Sequence, residues 1–534
     1  AADNKSEALY LVQESIKGLD AYVKGEVKDF SEVGIKAIDD QTVQYTLNKP
    51  ESFWNSKTTM GILAPVNEEF LTSKGSDFAK ATDPSSILYN GPFLLKSLVA
   101  KSSVEFEKNP NYWDKDNVHI DKVKLSFWDG QDTSKPAENF KDGSFTAARL
   151  YPTSASFSEL EKEMKDNIVY TQQDSTTYVV GTNIDRQSYK YTSKTSDEQK
   201  TSTKKALLNK DFRQAIAFGF DRTAYASQVN GASGASKILR NLFVPPTFVQ
   251  ADGKNFGDMV KEKLVTYGDE WKDVNLADAQ DGLYNPEKAK AEFAKAKSAL
   301  QAEGVQFPIH LDMPVDQTAT TKVQRVQSFK QSVEETLGAD NVVIDIQQLQ
   351  KDEVLNITYF AETAAGEDWD ISDNVGWSPD FADPSTYLDI IKPSVGENTK
   401  TYLGFDSGTD NTAAKTVGLN DYEKLVTEAG NETTDVAKRY DKYATAQAWL
   451  TDSALIIPTT TLTGRPILSK MVPFTMPFAF SGNKGTSDPL LYKYLELQDK
   501  AVTVDEYQKA QDKWMKEKEE SNKKAQEDLA KHVK

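Results

Sequence analysis

Apolar and polar positions follow two different periods along this chain, one typical of helices and one typical of strands. Residues 6–25 carry apolar side chains at helical spacing and end in glycine, so they predict one helix. Residues 33–50 alternate between apolar and polar on either side of a polar turn and predict two strands. Residues 88–98 and 102–114 predict another pair of strands. The beginning of the chain therefore predicts a mixture of helix and sheet.

From about residue 285 the two periods follow each other regularly. The pattern predicts a helix over 285–304, a strand over 307–316, a helix over 320–339 and a strand over 341–349. A strand, a helix and a second strand in this order form a β-α-β unit, which implies a partly parallel sheet. The fold class predicted from the pattern is therefore α/β.

Two polar segments break these patterns. Residues 191–205 consist almost entirely of polar and charged side chains and are predicted to be a loop or linker. Residues 503–534 are highly charged, with few apolar positions, and predict a helix that docks by its first half only.

Composition narrows the class of protein. The chain has 534 residues, enough for two to four domains. Its net charge of -18 opposes binding to nucleic acids and to anionic lipid. It contains no cysteine, which excludes disulfides, zinc–thiolate sites, iron–sulfur clusters and thiol nucleophiles. No stretch has the roughly 18 apolar residues of a membrane span, and residues 1–13 lack the pattern of a signal peptide.

Motifs that carry catalysis are missing. The three histidines, His119, His310 and His532, are far apart, and no G-x-S-x-G, Walker A or G-x-G-x-x-G motif accompanies them. Residues 114–121 have acids at calcium-like spacing but lack the glycine and the distal glutamate of an EF-hand loop. We therefore predict no metal and no cofactor. A pair of carboxylates for glycoside hydrolysis stays open, because the chain has 81 acidic residues.

One short segment combines acids with aromatic residues. Residues 367–377 predict a strand that ends just before Asp380, where α/β sheets usually bind ligands. Gly376 has no Cβ and would let another backbone come close, while Trp377 and Phe381 offer flat apolar walls. A carboxylate between aromatic rings suits an ammonium group. Free backbone groups near Gly376 and Ser378 could pair with an extended ligand, as in strand addition.

The pattern alone leaves a second interpretation open. In this alternative the segment is a buried strand followed by an acidic turn, and Asp380 caps the sequence "DPSTYLD" without binding a ligand.

Five segments in order along the chain resemble one family of receptors. They are "YNGPFLLKS" with "NPNYWD", "GTNIDR", "DFRQAIAFGFDRTAY", "DWDISDNVGWSPDFADPSTYLD" and "ATAQAWLTDSALIIP". They are similar to motifs of the oligopeptide- and dipeptide-binding proteins of ABC importers, solute-binding protein family 5. Within that family, "LLNKDFRQA", "DPSTYLDI" and the C-terminal tail resemble the oligopeptide-binding lipoproteins of the Ami/Ali type in streptococci.

The resemblance implies roles for particular residues. Asp380 matches the aspartate that pairs with the peptide α-ammonium, and Trp377 matches a tryptophan that lines a side-chain pocket. Gly376 and Ser378 match positions whose backbone bonds the peptide, and Phe381 flanks the aspartate. Asn183 matches an asparagine of the "GTNIDR" strand close to the cleft.

The chain departs from the family pattern in two places. Thr459, Thr460 and Thr461 stand where many relatives have tyrosines, which puts a ligand contact in doubt. We also expect the family's N-terminal segment, with its lipid-modified cysteine and first core strands, to be missing, which would expose sheet edges.

The resemblance implies a two-lobed, periplasmic-binding-protein-like fold of type II, a Venus flytrap with an extra small domain. We expect the small domain in 1–92, lobe I in 93–205 and 470–500, lobe II in 206–469, and a charged helix in 501–534.

The function implied is that of a monomeric receptor, not an enzyme. It would bind oligopeptides between its lobes, close around them and deliver them to the permease of an ABC importer. It would be held on the extracellular face of the membrane by a lipid anchor. Arg465 is a loose candidate for the partner of the peptide carboxylate. Two alternatives stay open: a carboxylate-dependent hydrolase of glycans or peptides, and a surface adhesin with a vestigial site.

Overall fold

The computed structural model describes residues 8–475 and 489–532. Short 3-10 turns connect many of the helices, and the fold contains both long amphipathic helices and single helical turns. The helices are α1 (Tyr10–Gln13), α2 (Leu19–Val23), α3 (Trp54–Lys57), α4 (Glu68–Lys74), α5 (Lys135–Lys141), α6 (Phe157–Met164), α7 (Asp197–Leu208), α8 (Lys210–Gly219), α9 (Arg222–Gly234), α10 (Phe256–Leu264), α11 (Pro286–Ala302), α12 (Thr320–Leu337), α13 (Lys351–Asn356), α14 (Ser385–Leu388), α15 (Thr399–Leu403), α16 (Thr412–Thr416), α17 (Leu419–Gly430), α18 (Val436–Ser453) and α19 (Val504–His532).

The strands are short and form six sheets of two or three strands within the described residues. The strands are β1 (Ile35–Asp39), β2 (Thr42–Tyr45), β3 (Phe93–Val99), β4 (Ser103–Lys108), β5 (Lys122–Ser126), β6 (Ala147–Arg149), β7 (Val169–Tyr170), β8 (Thr177–Thr182), β9 (Gln250–Ala251), β10 (Lys254–Asn255), β11 (Ile309–Asp316), β12 (Val342–Leu349), β13 (Ile371–Trp377), β14 (Ile456–Pro458) and β15 (Pro466–Ser469). Their orders are β1-β2, β3-β4-β5, β6-β15-β7, β9-β10, β11-β12 and β13-β8-β14.

The predicted β-α-β unit is confirmed. Strands β11 and β12 pair in parallel, and helix α12 connects them. The inward face of α12 buries Val326, Phe329 and Val333, which recur at the three- and four-residue spacing of one helix face. These residues belong to a large hydrophobic cluster that extends from β8 to β14.

The sheet β13-β8-β14 joins three segments that are far apart in sequence. Strand β8 is central and antiparallel to both neighbours. In its pairing with β13, Gly376 lies opposite Tyr178 and Trp377 lies opposite Thr177. Strand β13 lies at the edge of this sheet. The predicted strand before Asp380 is therefore confirmed, and its end lies at an edge where a further strand could pair.

The chain returns late to an earlier sheet. Strand β15 pairs with both β6 and β7, about 300 residues earlier in the sequence. A small hydrophobic cluster around Phe140, Leu150 and Leu468 covers this sheet and is separate from the large cluster.

The helix predicted over residues 6–25 is wrong in the part that the structure describes. Two short helices, α1 and α2, replace it, with Ile16 in an isolated bridge to Leu47 between them. The amide of Lys17 donates to the carbonyl of Thr46, and its carbonyl accepts from the amide of Gly34. Because these neighbours take the backbone groups that a helix needs, pairing overrides the helical pattern.

The loop predicted over residues 191–205 is also wrong in its second half. Helix α7 begins at Asp197, and the side chain of Ser196 caps it by accepting a hydrogen bond from the amide of Gln199. Lys194, just before the helix, is buried and binds Asp312 and Asp370. The polar residues therefore belong to a capped helix and a buried ion-pair cluster.

This ion-pair cluster connects β11 to the start of β13. The guanidinium of Arg186 lies 2.7 Å from Asp312, 2.7 Å from Asp368 and 2.9 Å from Asp370. Burial alone would raise the pKa of Asp312, but the charges of Lys194 and Arg186 outweigh it and hold that pKa below its usual range. The three aspartates are thus part of the interior and share two buried cations, Arg186 and Lys194.

Glu367, at the start of the same segment, is fully buried beside Trp369, whose indole N–H donates to its carboxyl group. Burial raises the pKa of Glu367 from 4.5 to about 8. Between these two pH values the folded chain keeps a proton on Glu367 that the unfolded chain loses. The free energy of unfolding therefore falls as the pH rises from 4.5 to about 8.

We expect Glu367→Gln to remove this slope. The variant should match the parent near the lower limit of the window and should be more stable at its upper limit, as measured by the midpoint of thermal unfolding across the pH range. A variant that is less stable than the parent in alkaline buffer contradicts a protonated Glu367.

Candidate ligand-binding site at the end of strand β13

Asp380 is buried three residues after β13 ends, with 4% of its surface exposed. Its amide donates to the hydroxyl of Thr386 at 2.9 Å, which fixes the backbone. The hydroxyl of Tyr10 donates to its Oδ2 atom at 2.8 Å. The carboxylate of Asp380 is therefore positioned from both sides, by its own loop and by the N-terminal part of the chain.

Asp383 makes capping contacts in the turn that follows Asp380. The Oδ1 atom of Asp383 accepts from the amide of Ser385 at 3.1 Å and from its hydroxyl at 2.6 Å. The guanidinium of Arg439 binds both carboxylate oxygens of Asp383 at 2.8 Å.

A cavity of about 460 Å³ opens in front of Asp380. Residues from the N-terminal part of the chain form one wall, and residues around Asp380 form the other. Charged side chains of both signs line it, among them Lys57, Asp380, Asp389, Lys392 and Glu397.

Negative charge concentrates near Asp380. Glu397 remains in contact with the water of the cavity, yet the surrounding protein, followed by the charge of Asp380, raises the pKa of Glu397 to about 7. Burial and the charge of Asp380 also raise the pKa of the Tyr10 phenol, so Tyr10 stays a neutral donor. Sequence reasoning missed both residues, because neither has a local motif. This end of the cavity would attract a cation.

Phe381 faces the N-terminal part of the chain. Its ring stacks on Phe53 with centroids 4.8 Å apart, and the ammonium of Lys57 lies 4.8 Å from its centroid. Lys57 itself is paired with Glu51 at 3.1 Å. Phe381 thus joins the two walls of the cavity.

The three predicted residues around Gly376 lie along the end of β13. A Cβ atom at Gly376 would stand 2.5 Å from the ring of Tyr178. The space in front of Gly376 therefore holds the chain's own aromatic ring. Trp377 packs against the large cluster, and its buried indole N–H has no partner among the described residues. The hydroxyl of Ser378, an exposed residue, bonds that of Thr176 at 2.8 Å.

Asn183 lies elsewhere. It follows the other end of β8, five residues beyond Tyr178, which corresponds to roughly 16 Å along a strand. Its side chain accepts from the amide of Asp185 and fills the space beside Gly404, where a Cβ would come within 1.9 Å. The structure therefore brings together Gly376, Trp377, Ser378, Asp380 and Phe381, but not Asn183.

Two of the threonines at positions 459–461 make contacts within the chain. Thr459 and Thr461 are buried, and their hydroxyls donate to the carbonyls of Tyr178 and Thr463. Their side chains hold the neighbouring backbone.

Arg465, the loose candidate for the carboxylate partner, precedes β15. It lies beside Arg149 and Arg325, which have no motif in sequence. Burial and the charges of these neighbours lower the pKa of Arg465 to about 9.

Metal binding and histidine-dependent catalysis have less support. Across residues 8–475 and 489–532 no group of three or more histidines or acids could hold a metal ion. His310 bonds the carboxylate of Asp345 on the adjacent strand at 2.8 Å. No described helix has the length and apolar character to span a bilayer.

The sequence matches a family model described as bacterial extracellular solute-binding proteins, family 5, middle part, over residues 2–399. The chain is 91% identical over 534 residues to the oligopeptide-binding protein AliA of Streptococcus pneumoniae, covering 100% of this chain and 81% of AliA. It is 74% identical over 534 residues to the oligopeptide-binding protein SarA of Streptococcus gordonii, covering 80% of SarA. Both relatives are named as oligopeptide-binding proteins, not as enzymes.

Two solved structures are similar in fold. The substrate-binding domain of a Bacillus anthracis oligopeptide ABC transporter has a TM-score of 0.64 and 21% identity, covering 93% of this chain and 81% of its own. OppA of Listeria monocytogenes bound to peptide has a TM-score of 0.61 and 22% identity, and the match covers 91% of this chain and 79% of the OppA chain. They confirm the expected two-lobed α/β architecture. The chain therefore belongs to the bacterial extracellular solute-binding proteins of family 5.

Proposed function

We propose that this chain is an extracellular receptor that binds oligopeptides between its lobes and delivers them to the permease of an ABC importer. The observation that carries the proposal is the position of Asp380, a buried carboxylate on a cavity at the end of an edge strand. The relatives named as oligopeptide-binding proteins supply the ligand class.

The amino end of the peptide is the part that Asp380 would recognise. An α-ammonium donates charge-assisted hydrogen bonds to a carboxylate, and these are roughly twice as strong as neutral ones. The phenol of Tyr10 is already held against Oδ2 and would stay as a second polar wall. Glu397 adds negative charge on the same cavity.

The peptide backbone would lie along the edge of β13. Edge strands present unpaired N–H and C=O groups, and an extended peptide can pair with them whatever its side chains are. Gly376, Trp377 and Ser378 would form this contact, with the Tyr178 ring moving aside from Gly376 where the peptide needs the space. Broad sequence preference follows, because affinity comes mainly from the backbone and the amino end.

Closure of the lobes around the peptide would prepare the receptor for the permease. In this proposal residues 1–92 belong to a small domain, 93–205 with 470–500 to lobe I, and 206–469 to lobe II. The receptor acts as a monomer held at the cell surface by a lipid anchor.

Native mass spectrometry of the purified protein tests the ligand class directly, because bound oligopeptides would add their masses to that of the chain. Calorimetry with one synthetic peptide, free or acetylated at its amino end, then tests the anchor. We expect acetylation to weaken binding strongly. Equal affinity for the two peptides contradicts the role of Asp380, and turnover of the peptide would favour the hydrolase alternative.

Peptide affinity should also depend on pH through Glu397. Below its pKa of about 7 this carboxyl carries a proton, and the second negative charge beside the ammonium is lost. We expect the affinity to fall about two- to fivefold for a decrease of one pH unit below neutral, where the peptide amino group stays charged. Glu397→Gln should remove this dependence, as measured by calorimetry across the pH range. A slope that persists in the variant assigns the titration to another group.

A further inference from the structure

Two short segments connect the sheet β6-β15-β7 with the sheet β13-β8-β14. Residues 171–176 run from β7 to β8, and residues 459–465 run from β14 to β15. The hydroxyl of Thr463 donates to the carbonyl of Gln172 at 2.6 Å, so the two segments are bonded to each other. In the proposed division the first sheet belongs to lobe I and the second to lobe II. The two segments therefore form the hinge about which the lobes would rotate.

Helix α19 is attached to lobe I and to this hinge. Just before the helix, the amide of Val502 donates to the carbonyl of Ser469 at 2.7 Å. Within its first turns, the hydroxyl of Tyr507 accepts a hydrogen bond from the amide of Gln172 at 3.0 Å. The side-chain amide of Gln511 donates to the side-chain oxygen of Gln172 at 3.1 Å. The first turns of α19 therefore move with lobe I and contact the hinge itself.

Aromatic rings hold the next turn of α19 in place. The ring of Phe474, which follows β15, lies between two residues of the helix. Its centroid is 5.3 Å from that of Tyr507 and 5.4 Å from that of Trp514, on which it stacks. The helix is therefore fixed to lobe I by ring contacts as well as by hydrogen bonds, over its first three turns.

A gap separates the other side of α19 from lobe II. Two adjoining cavities of about 750 and 640 Å³ lie there, and Met515, Lys518 and Gln250 line both of them. Asn255 and Asp278 of lobe II line the larger cavity as well. The helix and lobe II thus form opposite walls of one open space.

The hinge lies between this gap and the cavity in front of Asp380. Strand β13, which leads to Asp380, is one edge of the sheet β13-β8-β14. Beyond the opposite edge, Thr460 forms an isolated bridge to Leu239, and the next residue, Arg240, lines the gap. The gap and the cavity in front of Asp380 share no lining residue. The proposed peptide cleft and the gap are therefore on different sides of the hinge.

We propose that α19 carries a stop behind the hinge, formed by Gln508, Asp512, Met515 and Lys518, which limits how far the lobes separate without peptide. This inference rests on the proposed function, because it requires lobes that close around a peptide. Rotation about a hinge moves its two sides in opposite senses. Closure of the cleft would widen the gap, and opening of the cleft would narrow it until the stop meets lobe II at Gln250.

The chemistry of the two walls suits a contact that forms and breaks. Most side chains that line the larger cavity are polar or charged, on the helix as well as on lobe II. Hydrated polar surfaces gain little free energy on contact, so they also separate easily. An apolar contact would hold the lobes open and reduce peptide affinity by the free energy needed to break it. The stop thus limits opening without opposing closure.

The test uses the absence of cysteine from the chain. The double variant Gln250→Cys, Met515→Cys places one thiol on each wall of the gap. In the peptide-free protein the two thiols should form a disulfide under mild oxidation, as detected by mass spectrometry, because opening brings the walls together. Saturating peptide keeps the gap wide and should slow this reaction by about tenfold or more.

The oxidised double variant then measures the coupling to the cleft. A disulfide across the gap would hold the lobes apart, so we expect peptide affinity in calorimetry to fall by about tenfold or more and to recover on reduction. The control is Glu105→Cys, Lys124→Cys, at opposite positions of β4 and β5 in one sheet. Its disulfide should form at the same rate with and without peptide and should leave the affinity unchanged.

Three results would overturn the stop. They are no disulfide between positions 250 and 515 without peptide, an equal rate of its formation with peptide, and equal peptide affinity before and after oxidation. Small-angle X-ray scattering supplies a readout that needs no peptide. Oxidation should leave the radius of gyration of the peptide-free double variant unchanged or raise it, and a decrease would show that a narrow gap accompanies a closed cleft.

The proposed function fails separately from the stop. If the unchanged chain binds no peptide in calorimetry, the proposed function is wrong, while disulfide formation and scattering of the peptide-free protein still decide whether α19 meets lobe II. If the unchanged chain binds peptide and the double variant behaves like its control, only the stop is wrong.

Discussion

Replacing Asp380 with asparagine should weaken the binding of a peptide with a free amino terminus by about 2–4 kcal/mol, or roughly 30- to 1,000-fold. The variant keeps the shape of the side chain and an oxygen that can accept the Tyr10 hydroxyl. It removes the charge that would balance the peptide ammonium in a mostly buried setting. The loss should be visible in calorimetry as a lower association constant.

The specificity of this effect can be checked with an acetylated peptide, which has no ammonium group. Binding of that peptide should change little between the parent and Asp380→Asn. Asp421→Asn, an exposed charge on α17, provides the matched control and should bind both peptides like the parent. An Asp380→Asn variant that binds the free peptide normally would show that the amino end is held elsewhere.

The largest effect on stability is expected at Asp312. This fully buried carboxylate accepts hydrogen bonds from Arg186 at 2.7 Å, Lys194 at 2.8 Å and Thr192 at 2.6 Å. In Asp312→Asn the two cations keep Asp370 but lose the other carboxylate that they share, while they stay buried. Breaking a buried ion pair in this way costs about 3–5 kcal/mol, so the midpoint of thermal unfolding should fall by about 5–10 °C.

A surface ion pair supplies the comparison. Asp197, which binds Lys200 at 2.9 Å, is 91% exposed, and its replacement by asparagine should shift the midpoint by less than about 1 °C. Equal shifts for the two variants would mean that burial of the Asp312 cluster has no energetic consequence.

Periodic segments were predictable from sequence and the irregular ones were not. The β-α-β unit and the long helices α11, α12 and α18 follow from apolar residues at regular spacing. Helix α7 has a polar surface and few apolar positions, so its sequence looks like a linker. Ile16 and Lys17 pair with distant residues, and no local pattern contains that information.

The candidate site, too, was predictable only where it follows from local sequence. The strand before Asp380 could be predicted locally, because Trp369, Ile371 and Val375 recur among polar residues just before Gly376 and Pro379. Tyr10 lies 370 residues from Asp380 in sequence, so only the folded chain brings these two residues together. The reason for Gly376 also differs from the expected one, since the Tyr178 ring occupies the space that a ligand backbone was expected to use.

The acidic character of residues 366–389 has a consequence before folding is complete. In the folded chain Asp368, Asp370 and Asp383 are buried against arginines from other segments. Those arginines are distant in sequence, so in the unfolded chain the same carboxylates are hydrated and repel one another. Charges within and beside an apolar edge strand act as gatekeepers against pairing between chains. The segment that carries the candidate site would therefore also protect newly made chains from aggregation, until folding brings the arginines into contact with these carboxylates.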